Sequence, residues 1–206
     1  TAGVHVHIGG LNFSKRFIVA SVLLSLMVEK EIFSILPTSR RSNSFCTPMK
    51  DSQLGRLKVL KTESLEEFNA MIDSLYDEVF AYISTIGHYP DKEENKLKQH
   101  PRGAKCGYLR PSPRYHWLNL VPAMFNTREN ESYSIEFRPH SATLNFTKVS
   151  NWVKICMAFV SYAETHLETI FKAFLEGKPI TLEDLIIAAY PKRNSGLIAY
   201  IEARKT

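Results

Sequence analysis

The sequence predicts an α+β fold, a mainly antiparallel sheet with packed helices, carried by one domain over residues 1–206. Three observations support this. Two strand-like runs, Gly3-Val4-His5-Val6-His7-Ile8-Gly9 and Tyr133-Ser134-Ile135-Glu136-Phe137-Arg138, alternate apolar with reactive residues, the pattern of half-buried strands. Long helical periodicities separate them. There is no regular strand–helix–strand rhythm, no GxxxxGK-S/T loop and no GxGxxG after a strand, so the common parallel nucleotide folds are not supported.

After the first strand, Asn12 or Ser14 can cap a helix that runs to about Leu36 and ends at Pro37. Its stretch Phe17 to Val28 is broken by Ser21 and Ser25 and is too short to span a bilayer, so a buried helix is expected. Thr38 to Ser44 reads as a polar, basic loop, and Leu57 to Leu60 as a short strand. Ser64-Leu65-Glu66-Glu67 is a capping-box pattern, followed by Phe68, Met71, Ile72, Leu75, Val79 and Ile83 at helical spacing. Gly87 to Pro113 reads as a long surface excursion. Tyr115 to Leu120 reads as a strand and Asn126 to Ser132 as a polar turn. A long helix is expected from about Thr147 to Leu175, broken by Gly177-Lys178-Pro179. Short helices are expected after Thr181 and Asn194.

A net charge of +5 suits a nucleotide or an acidic substrate as readily as nucleic acid. No basic stripe interleaved with aromatics is present, so a nucleic-acid partner is not expected; a membrane partner is not expected either. Cys46, Cys106 and Cys156 are odd in number and widely spaced, which points to a reducing, cytoplasmic setting rather than a disulfide scaffold. Cys46 and Cys106 have no acid–base partner beside them in sequence, which argues against a catalytic thiol. The chain begins at Thr1 directly inside a strand pattern, so a pairing segment upstream in the natural protein is expected.

The chemistry-bearing residues fall on strand faces. Side chains alternate along a strand, so Val4, Val6 and Ile8 face one way and His5 and His7 the other. Likewise Tyr133, Ile135 and Phe137 point inward and leave Glu136 and Arg138 side by side. Imidazole and carboxylate suit a divalent metal, and a guanidinium suits phosphate or carboxylate. Each group also has a plainer reading: a polar sheet face for the histidines, a surface ion pair for Glu136 and Arg138. Arg114, read on one strand face with His116 and Leu118, joins Arg138 at an anion site or is an exposed arginine. Arg40 and Arg41 are a basic loop that is either solvated or lines the substrate side. His140 is either a ligand or a helix cap.

The early HxH strand and the late Ser134-Ile135-Glu136-Phe137-Arg138-Pro139-His140 together resemble the amidoligase family, carboxylate–amine ligases of the glutamine synthetase and glutamate–cysteine ligase superfamily. Leu36 to Asn43 with Cys46, Arg114-Tyr115 with Leu118-Asn119-Leu120, and Thr143-Leu144-Asn145 resemble further family segments in the same order. The resemblance implies metal ligation by His5 and Glu136, and nucleotide-phosphate contact by His7. It gives Arg138 and Arg114 the phosphate charge and catalysis, with ATP and Mg²⁺ (or Mn²⁺) as cofactors. The reaction it implies joins a small-molecule or peptide carboxylate to an amine through an acyl phosphate. One departure stands out: family members carry metal-binding glutamates on a strand near the N-terminus, and no E-x-E strand precedes His5. Glu29 and Glu31 form E-x-E only within a helical pattern that sets them on different faces. A full metal complement is therefore not expected within these residues, which leaves the fragment open to being inactive. Two other readings remain: a single-metal hydrolase using His5, His7 and a carboxylate, and a non-catalytic nucleotide- or protein-binding fragment.

Overall fold

The computed structural model describes residues 3–41, 46–84, 113–125 and 133–205. In chain order it contains β1 (Gly3–Gly9), α1 (Lys15–Ser34), α2 (Thr38–Arg41), α3 (Leu65–Ser84), β2 (Leu118–Asn119) and α4 (Val121–Met124). Then follow β3 (Ser134–Ser141), α5 (Phe146–Thr165), α6 (Leu167–Glu176), α7 (Leu182–Ala189) and α8 (Ser195–Glu202). The architecture is α+β: a small antiparallel sheet in the order β1-β3-β2, with packed helices.

α1 starts where Ser14 Oγ accepts the Phe17 N–H at 3.2 Å, satisfying one of the donors orphaned at a helix start. Every residue from Phe17 to Ser25 is buried. A helix apolar on all sides must be surrounded, and α3, α5 and α6 pack against it. α3 is one-sided by contrast, burying Phe68, Ile72, Leu75, Val79 and Ile83 at the expected spacing. Its first turn is held by Ser64 Oγ, which accepts from the Glu67 N–H, and by the Glu67 carboxylate, which accepts from the Glu63 N–H.

The apolar sheet face meets α5 through Trp117, Phe137 and Phe159. Their ring centroids lie 5.5–6.2 Å apart and each is at most 1% exposed. Phe159 meets both other rings edge-on, a favoured arrangement for aromatic pairs. Opposite residues share a face, so Val6 with Phe137 and Ile8 with Ile135 point to this core, while His7 with Glu136 point away.

Several expected elements differ. Leu57 to Leu60 forms no strand. The strand expected over 115–120 shrinks to Leu118–Asn119, because Pro113–Tyr115 forms a 3-10 turn and His116 only bridges Thr47. Arg114, His116 and Leu118 therefore do not share a strand face. Thr38–Arg41 is a helical turn rather than loop, with Arg40 buried. Tyr133 precedes β3 and is 48% exposed instead of facing inward. The single helix expected from 147 to 175 breaks at His166, whose φ of −124° leaves the helical range. The excursion expected from Gly87, the turn at 126–132, residues 42–44 and Cys106 lie outside the described residues.

A β-bulge marks β3. Val6 opposes Phe137 and Val4 opposes His140, so His5 alone faces both Arg138 and Pro139. Proline in a central strand is tolerated at such an irregularity, where the ladder does not need its missing N–H. The extra residue reverses the alternation beyond it. His140 turns to the helix side, 3% exposed, with its ring 5.6 Å from that of Trp152. That removes it from the face of Glu136 and Arg138.

Candidate active site

Three strands bring the polar residues together because β3 lies in the middle. Glu136 is flanked by His7 on β1 and Asn119 on β2. Its side chain is 7% exposed and every neighbour converges on it. Oε1 accepts from His5 Nδ1 at 2.8 Å and from Arg138 Nη1 at 2.8 Å. Oε2 accepts from Asn119 Nδ2 at 2.6 Å. His7 Nε2 stands 3.6 Å from Oε1, too far for a hydrogen bond, and its Nδ1 lies 3.1 Å from Ser134 Oγ.

These contacts set the charges. Burial disfavours an ionised Glu136, but the Asn119 hydrogen bond, Arg138 and the two imidazoles outweigh it and hold the carboxyl below its usual range. Burial, aided by the Arg138 charge, lowers the pKa of His5 despite the Glu136 contact. At neutral pH the site is then an ionised Glu136 beside a neutral His5. The carboxylate can only accept, so His5 Nδ1 carries the proton and Nε2 carries the lone pair.

Arg138 is 13% exposed, and its guanidinium lies 5.9 Å above the Tyr115 ring. Arg114 is exposed on the 3-10 turn beside that tyrosine. The strands thus bring His5, His7, Glu136 and Arg138 onto one face, whereas Arg114 is joined to them through its chain neighbour Tyr115.

Two further features are the burial of Arg40, which the sequence left open, and the role of Asn119, which it did not single out. Arg40 is 6% exposed. Its Nη2 and the His5 Nε2 both lie within 3.4 Å of where a Gly3 side chain would begin. A residue larger than glycine at position 3 would crowd both groups. Asn119 is the second, and its place two residues before the Val121-Pro122 helix start is the usable signal, since asparagine side chains accept from the backbone two residues on in such turns.

The donor types fit a divalent cation: Glu136 offers a hard oxygen and His5 an imidazole nitrogen. Among the described residues no group of three His, Cys, Asp or Glu side chains is arranged to hold an ion. The set is a partial one, of the kind Mg²⁺ completes with water and phosphate oxygens. Cys46 is no nucleophile, because burial pushes its thiol up to about 12.

Glu29 supports the site from behind. Its carboxylate, inside α1, accepts from Trp117 Nε1 at 3.0 Å and from the Met49 N–H. The Trp117 carbonyl in turn accepts from the Arg138 N–H at 2.9 Å. Glu31, two residues on and therefore on another face, accepts from the Leu182 N–H.

A family model described as a putative amidoligase enzyme matches residues 1–160. That span contains α1 to α4, all three strands, and most of α5. No curated protein and no solved structure matches the chain.

Proposed function

The chain belongs to the amidoligase family, and from that premise we propose that it serves an ATP-dependent carboxylate–amine ligase forming amide bonds through an acyl phosphate. The observation that carries this reading is the convergence of His5, Arg138 and Asn119 on one buried carboxylate, Glu136.

His5 and Glu136 would hold Mg²⁺ or Mn²⁺, which when bound supplies positive charge against the transferring phosphate. His7, half-exposed beside them, is suited to a phosphate oxygen. Arg138 and Arg114 carry the charge that offsets negative charge developing on the phosphoryl group, the main catalytic contribution in such transfers. In the first step a carboxylate oxygen of the substrate attacks the γ-phosphorus and ADP leaves. In the second, the amine attacks the acyl carbon. The C–O bond to phosphate then breaks, a proton leaves the nitrogen, and phosphate departs with the carboxylate oxygen. The substrates are small-molecule or peptide carboxylates and amines.

The test is oxygen transfer in the natural full-length protein. With ATP, Mg²⁺, an ¹⁸O-labelled carboxylate panel and amines, the reading requires one ¹⁸O in the released phosphate. Phosphate free of label, with amide formed, would rule out the acyl phosphate.

A second reading has one specific observation in its favour, the partial donor set among the described residues. It is a nucleotide- or protein-binding remnant: both forms predict no phosphate release, and the nucleotide-binding form predicts ATP binding.

A further inference from the structure

Asn119 stands in a position that nothing in the family match assigns. It is 3% exposed and both ends of its amide are committed. Oδ1 accepts the Val121 N–H at 3.0 Å, and Nδ2 donates to Glu136 Oε2 at 2.6 Å. The first contact fixes the second. A backbone N–H can only donate, so the oxygen must face Val121 and the NH₂ must face Glu136. Val121 opens α4, whose next residue is Pro122, so the amide hangs from a backbone corner that cannot easily turn.

The two oxygens of Glu136 are consequently unequal. Oε2 is held inside the fold by Asn119. Oε1 alone meets His5 and Arg138 and lies nearest His7. Resting on the ligase reading, we infer that Asn119 is a positioning residue that makes Glu136 a one-oxygen ligand. A cation or phosphate-side group then meets Oε1 only. Rotation of the carboxylate to a two-oxygen contact would cost the Asn119 bond. Such outer partners orient ligands, and their loss lowers metal affinity or activity by roughly 10- to 100-fold.

Asn119→Asp and Asn119→Ser separate this role from a merely structural one. Each keeps an oxygen able to accept the Val121 N–H, and neither retains the amide N–H donors. The readouts are the crystallographic position of Glu136 and the Mn²⁺ affinity of the metal-free full-length protein, measured by electron paramagnetic resonance. We expect the Glu136 carboxylate to leave its His5 and Arg138 contacts, and Mn²⁺ affinity to fall roughly 10-fold or more. A carboxylate that stays in place, or an unchanged Mn²⁺ affinity, in a folded variant overturns the inference. A wild type that binds no Mn²⁺ overturns the metal-ligand part of the inference as well. Failure of the ligase reading would show separately, as an absence of ATP-dependent phosphate release from wild type.

Discussion

His5 Nδ1 donates to Glu136 Oε1 at 2.8 Å, whereas His7, directly opposite Glu136 in the ladder, stops at 3.6 Å. The bulge explains the inversion. It gives His5 two residues of β3 to face and leans its ring toward the carboxylate. The two histidines of one motif are therefore unequal: His5 is bound to Glu136, and His7 is half-exposed.

That inequality predicts a split between stability and function. His5→Ala removes a hydrogen bond to a charged, largely buried group and should destabilise by about 1–2 kcal/mol. His7→Ala, at a half-exposed position, should fall within about 0.5 kcal/mol of wild type. Both should depress phosphate release. Urea denaturation of the two variants, alongside the activity assay, checks the contrast.

The buried His116 predicts acid sensitivity. It is 1% exposed, its Nε2 meets Tyr82 OH at 2.8 Å and its Nδ1 lies 3.1 Å from Thr47 Oγ1. Burial drives its pKa from 6.5 to about 4. The folded state binds this proton less readily than the unfolded chain. Stability is therefore fully present above pH 6.5 and is lost as pH falls toward 4, by about 3 kcal/mol in all. His116→Gln should lack that loss. Glu29, whose pKa burial raises, works in the opposite direction, being penalised as pH rises. Comparing wild type with variant at each pH cancels it. Equilibrium unfolding at pH 7 and pH 4.5 is the measurement.

Glu29 itself predicts a remote effect. Glu29→Ala would orphan the Trp117 indole N–H and the Met49 N–H, both buried. Each unsatisfied donor costs about 1–3 kcal/mol, so roughly 2–5 kcal/mol is expected. Because the Trp117 carbonyl holds the Arg138 N–H, the variant should also loosen Arg138. Tryptophan fluorescence and denaturation midpoints report the two effects.

Much of this was legible in the sequence, and the reasons are local. Val4, Val6 and Ile8 against His5 and His7 fix the facing of β1, because one face is apolar and a strand has a period of two. The α1 run from Phe17 to Ser25 left no polar side on which water could sit. The rest depends on distant partners. Nothing near Pro139 states that His5 will face two residues, so the turning of His140 to Trp152 could not be read. Tyr115 to Leu120 has strand composition, but the Pro113 turn and the Thr47 bridge claim its first half. Asn119 and Glu29 act on residues far off in sequence, and Arg40, whose segment reads as either solvated or lining the substrate side, is buried beside β1. The break at His166 carries no glycine or proline, and we have no physical account of it.

The most direct test concerns Glu136, on which the site converges. Phosphate release should be measured in the natural full-length protein with ATP, Mg²⁺ and a carboxylate–amine pair that the wild type turns over. Glu136→Gln keeps the size of the side chain but removes its charge, and the account predicts a loss of roughly 100-fold or more, the scale of removing a preorganised electrostatic group. A folded Glu136→Gln variant that releases phosphate at the wild-type rate would contradict it.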